Sequence, residues 1–282
     1  MKKTCHAILF CLAATMLHAQ PLYIQAGAGI MNYGGDLQEK IFTFQKSGTA
    51  FFAGLSYNPV SHLFINASFT AGSVKASDAG SINYRRNLNF YSRVSEGSIT
   101  AELDLFDIYS RYKVTPYAFG GIAVYHFNPY TFDSAGTKYF LQPLHTEGQG
   151  LAQYPDRKIY SLTQFAIPYG FGVKYAMSNG YLLSAELGFR KLFTDYFDDV
   201  STRYADTALL NAAFGITSAQ LSFRGDELKP PLRFIIDDRR GNPSRNDVFY
   251  TLLIKISVPL HVSLNRYNRK LVKQTGCPPK VL

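Results

Sequence analysis

A transmembrane up-and-down antiparallel β-barrel of about eight strands is the fold class this sequence predicts, and three observations predict it. The composition combines 20 Tyr, 22 Phe and 22 Gly with no Trp in 282 residues, an excess of rings and glycine that is odd for a soluble domain. Eight segments alternate between apolar residues and small or polar ones with a period of two, the mark of a strand with a different environment on each face. The links between them alternate short and long, as the turns and loops of outer-membrane barrels do.

The chain opens with Lys2 and Lys3, an apolar run over residues 7–17, and then His18, Ala19 and Gln20, the layout of a secretory signal peptide cleaved after Ala19. Phe10, before Cys11, is too bulky for the small residue that a lipid-attachment signal places there. Residues 1–19 are therefore read as a leader, which carries away Cys5 and Cys11 and leaves Cys277 without an internal disulfide partner. Beyond it no apolar run approaches the roughly 18 to 20 residues of a membrane helix.

Residues 22–31, 49–57 and 63–72 form the first three strands, with glycine or alanine often on the inner side. Residues 98–106 set Ile99, Ala101, Leu103 and Leu105 against Ser98, Thr100, Glu102 and Asp104, and residues 116–127 add a fifth strand of softer alternation. In residues 164–177 bulk faces out through Phe165, Ile167, Tyr169, Phe171 and Val173, while Ala166, Gly170, Gly172 and Lys174 face in. Residues 181–193 point Leu183, Ala185, Leu187 and Phe189 outward and Ser184, Glu186, Gly188 and Arg190 inward, with Lys191 on the outer face able to snorkel. The sharpest pattern is in residues 248–260, where Leu252, Ile254, Ile256 and Val258 oppose Thr251, Leu253, Lys255 and Ser257. Short links fall at 58–62, 107–115 and 178–180, and long ones at 32–48, 73–88, 128–163 and 195–246. An even strand count returns both ends of a barrel spanning 20–261 to the periplasm, together with a basic tail at 262–282.

The inner faces gather Glu102, Asp104, Lys174, Glu186, Arg190 and Lys255. Eight strands leave a lumen only wide enough for side chains, and unpaired buried charge is costly. Opposite charges that pair and plug the lumen are the simple reading; a proton or ion relay is the sharper one. At the external end of the seventh strand, Thr194, Asp195, Tyr196, Asp198 and Asp199 crowd into a rim motif. Three of these could supply an acid and a base, with His145 as the candidate partner in the external loops, although acidic rims also occur where a barrel meets divalent cations and lipopolysaccharide.

His62, His126 and His261 have no metal-ligand spacing with one another or with Cys277, and the run from Gly27 to Asn32 lacks the third glycine and the helix of a dinucleotide fingerprint. No metal or cofactor is expected. Arg224-Gly225-Asp226 reads as a chance RGD triplet, and Asp133-Ser134-Ala135 and Asp206-Thr207-Ala208 resemble short O-glycosylation sites. The net charge of +9 comes from interleaved signs, which argues against a nucleic-acid stripe. The exception is Arg266, Arg269, Lys270 and Lys273 in the tail, which suit a protein partner or a membrane surface if the tail is not slack.

Several phrases, in order along the chain, are similar to one family. They are Asn32-Tyr33-Gly34-Gly35-Asp36-Leu37, Thr115-Pro116-Tyr117, Leu141-Gln142-Pro143-Leu144 with the loop motif Thr146-Glu147-Gly148-Gln149-Gly150, and Ala166-Ile167-Pro168-Tyr169-Gly170. Arg190-Lys191-Leu192-Phe193-Thr194-Asp195-Tyr196 with Asp198-Asp199-Val200-Ser201, and then Arg240-Gly241-Asn242-Pro243, continue the series. The set resembles the small outer-membrane barrels of the PorG type, associated with the type IX secretion system of Bacteroidota. The resemblance implies a non-enzymatic integral barrel of the outer membrane that contacts periplasmic ring proteins of the PorK and PorN kind in an assembly or anchoring role, with no small-molecule substrate. A structural or adhesion barrel unconnected with secretion, and a rim hydrolase, are the alternatives.

Overall fold

The computed structural model describes residues 22–38, 46–109, 112–178 and 180–260. The expected leader and the tail at 262–282 lie outside the described residues. Eight antiparallel strands close into a barrel: β1 (Leu22–Gly34), β2 (Ser47–Val60), β3 (Leu63–Ser77), β4 (Asn89–Asp104), β5 (Val114–Phe132), β7 (Thr163–Ala176), β8 (Leu182–Leu192) and β9 (Val248–Pro259). Each pairs with its sequence neighbour, and β9 returns to β1 to complete the ring. A ninth piece, β6 (Lys138–Phe140), extends the sheet beside the far end of β5, Tyr130 facing Phe140. Two short helices, α1 (Thr207–Phe214) and α2 (Ile216–Ser222), lie in the link between β8 and β9. Among the described residues no helix is long and apolar enough to cross a membrane.

The period-two pattern sorts as expected. Phe165 is 71% exposed and Ile122 67%, while Lys174, Glu186, Arg190, Thr251 and Lys255 are buried on the opposite faces of their strands. Large apolar residues exposed on a smooth wall are stable only against lipid. The ladder lapses between Gly120↔Tyr169 and Ala123↔Ala166, beside Pro168, which has no N–H to donate.

The third, fourth and fifth strands run well past the alternating segments at their long-loop ends. The third strand runs on to Ser77, the fourth begins at Asn89 instead of residue 98, and the fifth continues to Phe132. In these extensions the pattern inverts: Val74, Ala76, Phe90 and Val94 are buried inside, and Lys75, Arg93 and Lys138 are exposed outside. Beyond the apolar band the wall turns aliphatic residues and Phe90 inward and sets cations outward, beside the outward rings of Tyr91, Tyr130 and Phe140.

Candidate functional site

The barrel interior is layered. At the short-turn end Tyr23, Phe64, Ile108 and Leu182 pack together, and the Tyr23 hydroxyl meets that of Tyr109 at 2.7 Å. Charge fills the middle. Lys174 on β7 donates to Glu102 and, at 2.9 Å, to Asp104 on β4, and its ammonium lies 3.7 Å from the Phe64 ring centroid. Lys255 on β9 pairs with Glu186 on β8, which also accepts from the Tyr117 hydroxyl at 2.9 Å. Higher up, Arg190 forks onto Glu96 at 2.9 and 3.0 Å and donates to Thr251 at 2.7 Å. Tyr117 can cross the lumen because its neighbour is Gly172, where a Cβ would lie 2.6 Å from the tyrosine oxygen.

At the long-loop end Phe197 inserts into the mouth. Its ring is 5.0 Å from Phe127, 5.5 Å from Phe249 and 6.0 Å from Tyr33, with Phe90 and Tyr125 completing the collar. Above this plug, Arg240 is buried and ties the loops together. It donates to Glu147 at 2.8 Å and to the Asp199 and Ser222 carbonyls at 2.6 and 3.2 Å. Glu147 accepts in turn from the Ser201 and Thr202 amides, both at 2.9 Å, and from the Tyr196 hydroxyl at 3.1 Å. Asp199 accepts from Thr146 and Tyr160. Arg86 adds the two remaining long loops, reaching Asp78 at 2.6 Å, the Asp36 carbonyl at 2.7 Å and the Arg240 carbonyl. All four long loops thus converge on one cap.

Below Arg240 the carboxylates outnumber the cations. Asp198 and Asp247 both receive the Tyr33 hydroxyl, Asp247 at 3.0 Å, and burial raises both well above the usual carboxylate range. Asp195 is pushed up to about 8, chiefly by burial and then by the charges of Asp198, Asp36 and Glu147. Its two oxygens accept no hydrogen bond among the described residues; the Ser201 hydroxyl eases the charge from nearby without reaching hydrogen-bond geometry. Burial also raises Asp199, to about 6, with the Arg240 guanidinium working against the rise.

The structure brings the six inward charges of the sequence reading into one lumen and adds Glu96, which lay outside the expected fourth strand. The rim motif turns inward: Asp198 and Asp199 are fully buried, and Thr146 and Glu147 of the loop motif join them. Gly148 and Gly150 of that motif adopt positive φ, 73° and 84°, a region that suits glycine. Gln149 accepts from the Glu147 amide. His145 does not meet the aspartates. Its ring packs on Phe214 of α1 at 4.6 Å, its Nδ1 is buried without a hydrogen-bond partner among the described residues, and burial lowers its pKa. The pairing of His145 with a rim aspartate that the hydrolase reading called for is not formed among the described residues.

Arg224 of the RGD triplet is buried and paired with Glu227 at 2.8 Å, so it is not presented. Asp206 caps α1 through the Ala208 amide, and Asp133 organises its turn through the amides of Ala135 and Thr137. The residues that sequence reasoning missed are Phe197, Arg86 and Arg240 as the working parts of the cap, although Arg240 stood in a phrase already noted.

A family described as a domain of unknown function, DUF6089, matches residues 2–220. No curated protein matches. Among solved structures, Neisserial surface protein A is similar at 13% identity, covering 84% of this chain and 96% of that one, with a TM-score of 0.43. The attachment invasion locus protein Ail of Yersinia pestis matches at 8% identity, over 84% and 97%, with a TM-score of 0.40. The N-terminal barrel domain of OprF from Pseudomonas aeruginosa matches at 9%, over 84% and 97%, with a TM-score of 0.36.

Proposed function

We propose that this chain, which belongs to the DUF6089 family, is a sealed, non-enzymatic barrel of the outer membrane that serves as an assembly or anchoring component of a type IX secretion system. One observation carries the reading. The phrases similar to PorG-type barrels, scattered from Asn32 to Pro243, supply the part of the cap that joins three of the four long loops, through Asp36, Thr146, Glu147, Asp198, Asp199 and Arg240, and Arg86 brings in the fourth. A buried construction of this kind fits a scaffold better than a pore or a catalyst, because the clustered carboxylates and cations of the described lumen and cap are engaged with one another or covered. In this reading the long loops face outward, and the short turns and the basic tail face the periplasm and ring proteins of the PorK and PorN kind.

Deleting the gene and following export and surface attachment of cargo tests it. Loss of export supports the assembly role; normal export sinks it and leaves a structural barrel with another partner. The contact side is tested by truncation after Ser263. The shortened barrel should insert normally but capture the ring proteins less well, more so at higher salt, where exposed charges are screened beyond roughly 8 to 10 Å. Equal capture would move the contact to the short turns, and surface labelling of Cys277 in intact cells would reverse the topology.

A further inference from the structure

The outer face of the β3–β6 wall changes character along each strand separately. On β3 the outward residues Ile65, Ala67, Phe69 and Ala71 give way to Ser73 and Lys75; on β4 the sequence Leu103, Ala101, Ile99, Gly97 is followed by Ser95, Arg93 and Tyr91; on β5 Ala118, Gly120, Ile122 and Val124 are followed by His126, Asn128 and Tyr130. An apolar band about 25 Å tall on strands tilted by about 40° occupies roughly ten residues of strand. Counted from Leu105, it ends near Ser95. Lys75, Arg93 and Tyr91 therefore stand at headgroup level, at the long-loop edge of the band.

Side by side across the ladder, Lys75 pairs with Tyr91, Tyr91 with Tyr130, and Tyr130 with Phe140. The Tyr91 and Tyr130 rings stack at 5.6 Å, and Phe132 and Phe140 close the ledge edge-on. Lys138 rests its ammonium on this ledge, 3.7 Å from the Tyr130 centroid and 4.5 Å from that of Phe140. Among the described residues neither Lys75, Arg93 nor Lys138 forms an ion pair. On the opposite wall Lys191 is the one outward cation of β7, β8 and β9.

We propose that this ledge binds the phosphorylated headgroup of a membrane glycolipid, the lipid A type of outer-leaflet lipid, with Lys75, Arg93 and Lys138 meeting its phosphates and the Tyr91, Tyr130 and Phe140 rings lying against its sugars. The apolar band directly below takes the acyl chains, which selects a lipid over a soluble anion. The outer-leaflet assignment rests on the outward orientation of the long loops proposed above.

The test uses the full processed chain in phosphatidylcholine nanodiscs, with binding of bisphosphorylated lipid A measured by native mass spectrometry. Each cation near a charged lipid surface is worth roughly fivefold, so Lys75→Gln, Arg93→Gln and Lys138→Gln together should weaken binding at least tenfold. Removing both phosphates from the lipid should do the same, while Lys191→Gln and millimolar inorganic phosphate should change little. Equal binding by the folded triple variant, equal binding of dephosphorylated lipid, or full displacement by free phosphate overturns the proposal. If the triple variant does not fold, Arg93→Gln and Lys138→Gln are read singly, each expected to cost several-fold. Nanodiscs present both leaflets and no secretion machinery, so failure here is separate from failure of the secretion role or of the cellular topology.

Discussion

The lumen and the cap both bury charge, but they balance it differently. In the lumen Glu96, Glu102, Asp104 and Glu186 face Lys174, Arg190 and Lys255, and every carboxylate has a cation within hydrogen-bond distance. In the cap Asp36, Asp78, Glu147, Asp195, Asp198, Asp199 and Asp247 share essentially Arg86 and Arg240. Each region is therefore vulnerable in its own way. The lumen depends on its few cations, whereas the cap carries a surplus of acid that only protons can relieve.

Removing a lumen cation should have the largest effect. Lys174→Met leaves Glu102 and Asp104 buried without their cation, Glu102 keeping the Asn66 amide at 3.2 Å, and breaking a buried pair in this way costs about 3 to 5 kcal/mol. Urea unfolding of the reconstituted barrel measures it. Restoring apolar balance with Glu102→Leu and Asp104→Leu in the same chain should recover most of the loss; no recovery would mean that Lys174 acts through packing on Phe64 instead.

Next comes the plug. Phe197→Ala empties the centre of the aromatic collar, for about 3 kcal/mol, but the damage should stay in the cap because the barrel ladder is untouched. Limited proteolysis should cut within residues 193–247 while the strands remain protected. If the strands lose protection together with the loops, cap and lumen are one cooperative unit and the contrast between them fails.

Acidity acts on the cap alone, and its sign is clear. Asp195 at about 8 and Asp199 at about 6 both lie above the unfolded aspartate value of about 4, so the closed cap holds protons that an opened loop releases. Its stability therefore rises as pH falls from about 8 toward 4. Hydrogen exchange in residues 193–247, corrected for intrinsic rates, should slow over that window. Asp195→Asn should stabilise the cap at pH 8 and flatten the upper part of the dependence; a cap that loosens on acidification contradicts the assignment.

What was legible in the sequence follows from the same physics. Inside the lipid band a strand has one face against acyl chains and one in a narrow lumen, so alternation placed Glu102, Lys174, Glu186, Arg190 and Lys255 on the inner face without structural help. Residues 89–96 stand at or beyond the upper edge of the band, where Phe90 and Val94 point in and Arg93 points out. There the apolar face changes sides, and with it went Glu96, the partner of Arg190. The cap has no period to read. Phe197 sat unremarked among four aspartates, and Arg240 finds Glu147 93 positions away through loops whose path alternation does not constrain.

A sealed interior is the premise of the scaffold role, and planar-bilayer recording of the purified full chain tests it most directly. With Tyr23, Phe64 and Leu182 closing one end, paired charges filling the middle and Phe197 stopping the other, the barrel should be electrically silent across the applied voltage range, and Phe197→Ala alone should not open it because the lumen pairs remain. Steady, reproducible conductance steps from the unmodified protein would show an open path and contradict the plugged lumen.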